Sequence, residues 1–402
     1  MIEVERARDA ILERVSLLAS EDVPLRSALG RVLGEEVRSV ESVPGFDNSA
    51  MDGFAVRADD TRCAVPDAAV ALRIVGESRA GRPTEVTVGI REAVRISTGA
   101  MVPAGADAVV PVEDTRIEDD RLLVRKTAEA GLYLRSAGED IGVDEVVLSP
   151  GTQIGPAELG VLASAGRAAV RCPRRPRVHV LISGDELLGP DEPMRPGGVR
   201  DSNGYSIPAL AEQAGAEFVG FGLAADDPEA TRAAIAPALD ADVAVLCGGV
   251  SVGVHDHVKE ALAALGVEQC FWGVALKPGR PTWFGTCGDT LVFGLPGNPV
   301  SAMVTFVLLV RPALIALAGG QLERHRTIAK LTRDYEKSPG RAHAIRCRLE
   351  LREDGWYAHP FERQGSHVLT SMLGADCLAL IPIYADSVRA CEPVEVELLG
   401  WT

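Results

Sequence analysis

Residues 177–317 alternate between short apolar stretches of strand length and segments with helical periodicity, and this alternation limits the possible folds more than any other feature of the sequence. A repeated strand–helix order is typical of a mostly parallel β-sheet with α-helices on both faces. We predict strands at 178–182, 218–223, 243–247 and 291–295, and helices at 202–213, 227–239, 257–265 and 300–317. Asp201 or Ser202 would cap the first of these helices, and the Asp227-Pro228 pair would start the second.

The flanking segments follow other patterns. Helical spacing predicts helices at 4–19, 25–40 and 156–165, of which we expect the first and the last to pack together. Short apolar stretches separated by Gly, Pro and Asp predict a β-rich region over 43–147, and polar–apolar alternation at 341–351 and 394–398 predicts a small β domain. The predicted domains are 1–42 with 148–174 (a discontinuous helical domain), 43–147 (inserted, β-rich), 175–325 (α/β) and 326–402 (β).

Charge and composition restrict the partners. The formal net charge of −16 argues against general binding to nucleic acid or to anionic lipid, so an anionic substrate would need a local reversal of sign. The eight cysteines form no C-x-x-C pair and are expected to be buried or partly buried free thiols in a reducing compartment. The N-terminus lacks the pattern of a signal peptide, and the apolar run 300–310 ends at Arg311, too short for a bilayer. We therefore expect a cytoplasmic protein without a membrane partner.

Three predicted strands end in polar, glycine-containing loops, which should lie at one edge of the sheet, where open α/β folds bind ligands. The loops are Ser183-Gly184-Asp185-Glu186, Gly248-Gly249-Val-Ser251-Val-Gly253-Val-His255-Asp256 and Pro296-Gly-Asn-Pro299-Val-Ser301. The glycines of the second loop let backbone amides approach an anion, and its Ser251 would donate to a phosphate or oxoanion. Any one such loop is also compatible with a plain strand-to-helix turn; three on one edge favour a site.

A stiff turn, Lys277-Pro-Gly-Arg280-Pro281, would present two cations beside that edge, although a solvated surface turn has the same composition. The acids Asp185, Glu186 and Asp256 are oxygen ligands that suit Mg²⁺, whereas no His/Cys set has zinc spacing. The sequence contains neither a Walker A motif nor G-x-G-x-x-G, and no Ser-His-Asp order can be recognised in it. Polar loops at 44–55, 97–100 and 138–141 of the β-rich region remain compatible with turns or with a site.

Taken together, these segments resemble the MoeA family, which includes the E domain of gephyrin. The resemblance spans nearly the whole chain and rests on eight motifs in the family's order. They are Phe46-Asp-Asn-Ser-Ala-Met-Asp-Gly-Phe-Ala55, Ser97-Thr-Gly-Ala100, Gly138-Glu-Asp-Ile141, Ser183-Gly-Asp-Glu-Leu187, Asp201-Ser-Asn203, Gly248-Gly-Val-Ser-Val-Gly253, Lys277-Pro-Gly279 and Leu295-Pro-Gly-Asn-Pro-Val-Ser301. It implies a central three-layer α/β domain of the molybdopterin-binding type, an inserted β-rich domain and a C-terminal β barrel. It also implies an elongated homodimer whose active cleft lies between the central domain of one subunit and the inserted domain of the other.

The implied reaction inserts molybdate into adenylylated molybdopterin and releases AMP, with Mg²⁺ as cofactor. By motif position the resemblance assigns catalytic roles to Asp256, Glu186, Asp52, Asp140 and Thr98, and Mg²⁺ binding to Glu186, Asp226 and Asp256. It assigns binding of pterin, nucleotide or oxoanion to Ser183, Gly184, Asp185, Asp201, Asn203, Gly248, Gly249, Ser251, Gly253, Lys277, Arg280, Pro296, Pro299, Ser301, Arg346 and Ser366. A molybdopterin adenylyltransferase and proteins that mature molybdoenzymes are the implied partners.

This sequence departs from the family pattern at two positions. Arg280 replaces a common lysine and presents a planar fork instead of a point charge, and His255 stands where a bulkier or charged residue is frequent. Arg341 also fits the position assigned to Arg346, which we prefer. A non-catalytic molybdopterin-binding scaffold, a molybdopterin adenylyltransferase and a nucleotide hydrolase are the alternatives. The residues do not distinguish molybdate from tungstate.

Overall fold

The computed structural model describes residues 1–224, 227–249, 257–322 and 325–400. A six-stranded sheet in the middle of the chain, the central sheet, carries the largest core. Its strands, in spatial order, are Glu217–Ala224, Arg177–Ser183, Val243–Cys247, Thr290–Leu295, Trp283–Cys287 and Glu268–Trp272. The first four are parallel, as the sequence predicts, and the last two, which the alternation does not predict, are antiparallel.

Helices cover both faces of the central sheet. Asn203–Gln213 and the long helix Pro299–Leu317 pack on one face, while Pro228–Ile235 and Val258–Ala264 pack on the other. The Asp227 carboxylate accepts a hydrogen bond from the amide of Ala230 at 2.8 Å, so the predicted cap is confirmed.

The long helix is α-helical over Pro299–Thr305, forms a π turn at Phe306–Val310 and is α-helical again over Arg311–Leu317. Among the described residues this is the one helix that is long and apolar enough, by length and composition, to cross a membrane. The apolar run 300–310 is only part of it. However, 83% of its most apolar window is buried inside the protein, so it is the core helix of the central region. Its arginine, Arg311, forms a buried ion pair of 2.7 Å with Glu397.

The N-terminal segments differ from the prediction. The first helix spans only Val4–Leu12 and packs against the core helix, not against Pro156–Ser164. Of the predicted helix 25–40 only a 3-10 turn, Leu25–Ser27, forms, because Gly30 and Gly34 interrupt it and pairing with distant strands satisfies its backbone. Within this segment, Val37–Arg38 pairs with Val146–Leu148. Just before it, Ser20–Pro24 pairs with Ala169–Pro173.

The inserted region is a six-stranded, mostly antiparallel sheet with its own core. Its strands, in spatial order, are Ala108–Pro111, Gly53–Val56, Glu92–Ile96, Val70–Ser78, Arg121–Val124 and Thr115–Glu118. A two-stranded pair, Asn48–Ser49 with Leu134–Arg135, lies beside it and carries polar loops.

The C-terminal region is a closed five-stranded barrel, as the resemblance implies. Its strands, in order round the barrel, are Ala342–Arg352, Gly355–Pro360, Arg326–Leu331, Pro393–Leu398 and Cys377–Ile381, and the last pairs with the first. Two residues from the central region, Leu276–Lys277, add a short parallel strand to Ala342–Arg352. Further short pairs are Leu187–Leu188 with Val199–Arg200 and Tyr335–Glu336 with Ser387–Val388. The cysteines are free, but Cys63 and Cys391 are exposed, contrary to the expectation of burial.

Candidate active site

The carboxyl ends of the central strands meet at one edge, and their loops are in van der Waals contact there. The Gly248 amide donates to the carbonyl of Leu295 at 3.1 Å, which joins two neighbouring strand ends. Gly248 has φ +95°, and a Cβ at this position would lie 2.5 Å from the carbonyl oxygen of Ser183. Only glycine therefore allows the second loop to pass this close to the first.

The turn Pro296-Gly297-Asn298-Pro299 starts the core helix at the same edge. The Asn203 side-chain amide donates to the carbonyl oxygen of Gly297 at 2.8 Å and fixes the turn from the neighbouring helix. Asn203 is only 6% exposed, and its Oδ1 has no hydrogen-bond partner among the described residues. The nearby Asp201 carboxylate accepts from the amide of Gly204 at 2.8 Å, so it stabilises the start of that helix. Ser301, one turn into the core helix, is buried.

The Lys277–Arg280 turn lies against both the core helix and the barrel. A Cβ on Gly279 would be 2.5 Å from the Thr305 methyl group, so the turn packs tightly on the core helix. Lys277 is exposed and lies opposite His343 of the barrel in the strand register. The Arg280 side chain is also exposed, while its carbonyl accepts from Thr282 and Val274. The two predicted cations are thus held by backbone bonds and packing that leave their side chains exposed.

Arg346, which the resemblance assigns to the oxoanion site, lies inside the barrel. Its side chain is fully buried, and it donates to the hydroxyl of Ser371 at 3.2 Å and to the carbonyl of Gly365 at 3.2 Å. Burial lowers the pKa of its guanidinium to about 10. Arg346 therefore positions the loop that carries Ser366, and its role at the oxoanion stays a prediction. Ser366 itself reaches the edge, since Asn298 donates to its hydroxyl at 3.5 Å.

Of the acidic residues predicted near the strand ends, Asp185 and Glu186 lie within the described part of the chain. The Glu186 carboxylate lies over Gly184, where an added Cβ would meet it at 2.7 Å, and the carbonyl of Asp185 accepts from Arg195. Among the described residues no group of three or more His, Cys, Asp or Glu side chains could hold a metal ion. Asp226, Ser251, Gly253, His255 and Asp256 lie outside the described residues, so their roles stay predictions.

A second polar group forms in the inserted region, where three loops distant in sequence converge. The Thr98 amide donates to the Asp52 carboxylate at 2.8 Å. The Ala137 amide donates to Asp47 at 2.8 Å, and the amide of Asp140 donates to the carbonyl of Val43 at 3.0 Å. Asp52, Thr98 and Asp140 are therefore carried by mutually supporting loops. The sequence did not mark Asp47 as a site residue, although it stands in the same motif as Asp52.

Several residues of the barrel rim were also missed. Lys337, Arg341 and Lys277 surround the buried His343, and burial followed by these three charges lowers the pKa of His343 to about 4. The imidazole Nδ1 lies 3.1 Å from the Tyr335 hydroxyl. No sequence motif marks Lys337 or His343, because their association with Lys277 depends on strand pairing. The rim thus supplies the local positive charge that the acidic chain requires for an anionic ligand.

Comparison with known families agrees with this architecture. Residues 2–166 match the MoeA N-terminal region (domain I and II), residues 179–316 match a probable molybdopterin binding domain, and residues 328–399 match the MoeA C-terminal region (domain IV).

Known relatives cover most of the chain. A molybdopterin molybdenumtransferase from Haemophilus influenzae is 36% identical over 99% of this chain and 98% of its own length. One from Staphylococcus aureus is 32% identical over 99% of this chain and 95% of its own, and molybdopterin molybdenumtransferase 2 from Mycobacterium tuberculosis is 40% identical over 78% and 79%.

Two crystal structures of a molybdopterin biosynthesis MoeA protein from Pyrococcus horikoshii superpose with a TM-score of 0.84 each. They are 33% and 29% identical in sequence and cover 100% and 99% of this chain, with 100% of each neighbour covered. Because the matched regions follow the family's order and the relatives align over most of their length, this chain belongs to the MoeA family.

Proposed function

We propose that this protein is a molybdenum insertase, a transferase that places molybdate into adenylylated molybdopterin and releases AMP. The names of relatives 32–40% identical to it support the assignment. The observation that carries it is the meeting of three structures: the glycine-lined strand ends, the start of the core helix and the Lys277–Arg280 turn on the barrel rim. Such a site provides backbone amides for a phosphate and cations for an oxoanion.

The residues of this chain would divide the work between two sides. Gly248 and Gly249 bring the second loop close to the strand ends, and the core helix begins at Pro299 with the positive end of its dipole. We assign the pyrophosphate link of the adenylylated pterin to this side. Lys277 and Arg280 carry exposed positive charge next to it, and we assign molybdate to that side.

Mg²⁺ is part of the proposal through three acids, Glu186, Asp226 and Asp256. Carboxylate oxygens are the ligands that Mg²⁺ prefers, and bound to the phosphate it would neutralise the charge that develops as the adenylyl link breaks. Of the three, Glu186 lies within the described residues, with its carboxylate over Gly184 at the strand ends. This placement is compatible with a metal held beside the phosphate.

We also propose that the protein works as a homodimer in which the second polar group faces the central edge of the other subunit. Asp52, Thr98 and Asp140 are positioned by backbone bonds in loops of the inserted region, as a preformed wall of a cleft would be. A mixture of the two variants Asp52→Asn and Lys277→Ala, assayed at a molybdate concentration too low for Lys277→Ala to act, should then regain activity, because one cleft of each mixed dimer carries neither change. Failure to regain activity after subunit exchange would contradict the shared cleft.

The proposed function is tested with purified protein, adenylylated molybdopterin, molybdate and Mg²⁺, following AMP release and the activation of an apo-molybdoenzyme. Lys277→Ala should raise the molybdate concentration needed for half-maximal insertion more than it weakens pterin binding. Lys330→Ala is the matched control, since Lys330 is a barrel lysine paired with Asp354 at 2.6 Å. Production of adenylylated molybdopterin from molybdopterin and ATP, without molybdenum insertion, would instead establish an adenylyltransferase.

A further inference from the structure

Lys337 is a buried cation to which the proposed active site gives no function. Its side chain is within the barrel rim, the residue is 9% exposed, and Nζ donates to the carbonyl oxygens of Arg341 at 3.0 Å and Ile383 at 3.4 Å. In the described part of the chain its ammonium forms no ion pair, and Asp386 is the acid whose charge acts on it. An ammonium bonded to carbonyls keeps its formal charge, and Asp386 acts on it only at a distance, without an ion pair.

Strand pairing brings this cation into line with the Lys277 turn. His343 pairs with Ile381 on one side and with Lys277 on the other. Lys337 donates to the carbonyls of Arg341 and Ile383, which lie two residues before His343 and two residues after Ile381. It therefore joins the two barrel strands at the end where the Lys277 strand pairs with them. The side chains of Lys277 and Lys337 therefore act on one imidazole, that of His343.

His343 is the uncharged group on which both lysines act. Burial and the surrounding cations lower its pKa to about 4, so it carries no charge near neutral pH. The Tyr335 hydroxyl at 3.1 Å fixes the ring orientation. The neutral imidazole thus leaves the charges of Lys277 and Lys337 uncompensated on its side.

We propose that Lys337 is a positioning residue of the oxoanion site: it holds the barrel strands to which the Lys277 turn is attached, and its positive charge, which forms no ion pair among the described residues, strengthens anion binding at Lys277 from behind. The inference rests on the proposed function, since it takes molybdate to be the anion. A cation that never touches the anion still raises its local concentration, and the effect of one such charge is about tenfold in affinity.

The test compares two charge-removing variants with a charge-keeping one and with a control. Lys337→Gln keeps amide donors for both carbonyls but removes the charge, Lys337→Met removes both, and Lys337→Arg keeps the charge. Lys330→Met removes a half-buried barrel lysine whose charge Asp354 already balances. For each protein, molybdate binding is measured by calorimetry without pterin, and KM for molybdate and kcat are measured in the insertion assay.

We expect both charge-removing variants to weaken molybdate binding and raise KM about tenfold while kcat changes less than about twofold. Lys337→Arg should restore the wild-type KM, and Lys330→Met should leave it unchanged. Unaltered molybdate binding in Lys337→Gln, or equal losses in Lys337→Gln and Lys330→Met, would overturn the inference. Wild-type protein whose molybdate affinity depends on the Lys337 charge but which inserts no molybdenum would refute the proposed function and leave this inference intact.

Discussion

Gly248 allows a sharp test of the idea that the active edge depends on close backbone approach. In Gly248→Ala the new methyl group would sit 2.5 Å from the Ser183 carbonyl oxygen, against an ordinary contact of at least 3.4 Å, so one backbone segment must move by about 0.9 Å. The neighbour is a main-chain oxygen at the end of a buried strand, so it cannot swing aside as a flexible side chain would. The φ of +95° adds a conformational cost for any L-residue.

The matched control is Gly266→Ala. Gly266 follows a helix of the same region with φ +78°, and a Cβ added there would meet no atom within 4 Å. This variant carries only the conformational cost, about 1 kcal/mol. Gly248→Ala carries the same cost plus about 1–3 kcal/mol for overpacking. The difference between the two isolates the clash.

Urea unfolding followed by tryptophan fluorescence measures the stability of both variants, and the insertion assay measures their activity. We expect Gly248→Ala to be less stable than Gly266→Ala by about 1–3 kcal/mol and to lose about 100-fold in kcat, since a misplacement of about 1 Å in a site has effects of that size. Gly266→Ala should keep wild-type activity. Equal stability and equal activity of the two variants would refute the argument that the loops need glycine for their close approach.

Three further predictions concern buried polar groups. Asn203→Ala should lower the free energy of unfolding by about 1 kcal/mol and reduce kcat/KM, because the turn at Gly297 loses its 2.8 Å hydrogen bond. Urea unfolding and the insertion assay measure the two effects. An unchanged kcat/KM would contradict the role given to this bond. His343 has a pKa of about 4 in the folded protein and about 6.5 in the unfolded chain. Because the unfolded chain therefore binds the proton first, the free energy of unfolding is unaffected above pH 6.5 and falls by up to about 3 kcal/mol as the pH drops toward 4. Stability measured from pH 7 to 4 should fall less steeply in His343→Gln, and identical slopes would contradict the assignment. Glu397→Gln should lower the free energy of urea unfolding by about 3–5 kcal/mol, because Arg311 is left buried without its charged partner. Replacing both residues by apolar ones should recover much of that loss. Wild-type stability of Glu397→Gln would refute this prediction.

Local signals predict the elements whose causes lie within a few residues. The strand Val243–Cys247 is predicted with its observed bounds because it is an uninterrupted apolar run between polar residues. The start of the helix at Pro228 follows from the reach of the Asp227 carboxylate to an amide three residues on. The family resemblance likewise depends on the order of short motifs.

Elements that depend on distant partners are predicted poorly. The segment 25–40 has helical periodicity, but strand pairing with residues more than a hundred positions away overrides it. The antiparallel strands Glu268–Trp272 and Trp283–Cys287 lie outside the strand–helix alternation, and only their packing at the sheet edge defines them. The resemblance assigns Arg346 to the oxoanion, but no local pattern predicts its burial in the barrel or its bonds to Ser371 and to the carbonyl of Gly365.

The sequence by itself determined the alternation that builds the central sheet, the polar loops at its strand ends and the family to which the chain belongs. These follow from side-chain periodicity, capping and motif order, which act over a few residues. Only the tertiary structure decided which charges share an environment. Lys277 is far from His343 and Lys337 in the chain, and strand pairing across the barrel rim brings the three together, two of them at buried positions where water screens charge poorly.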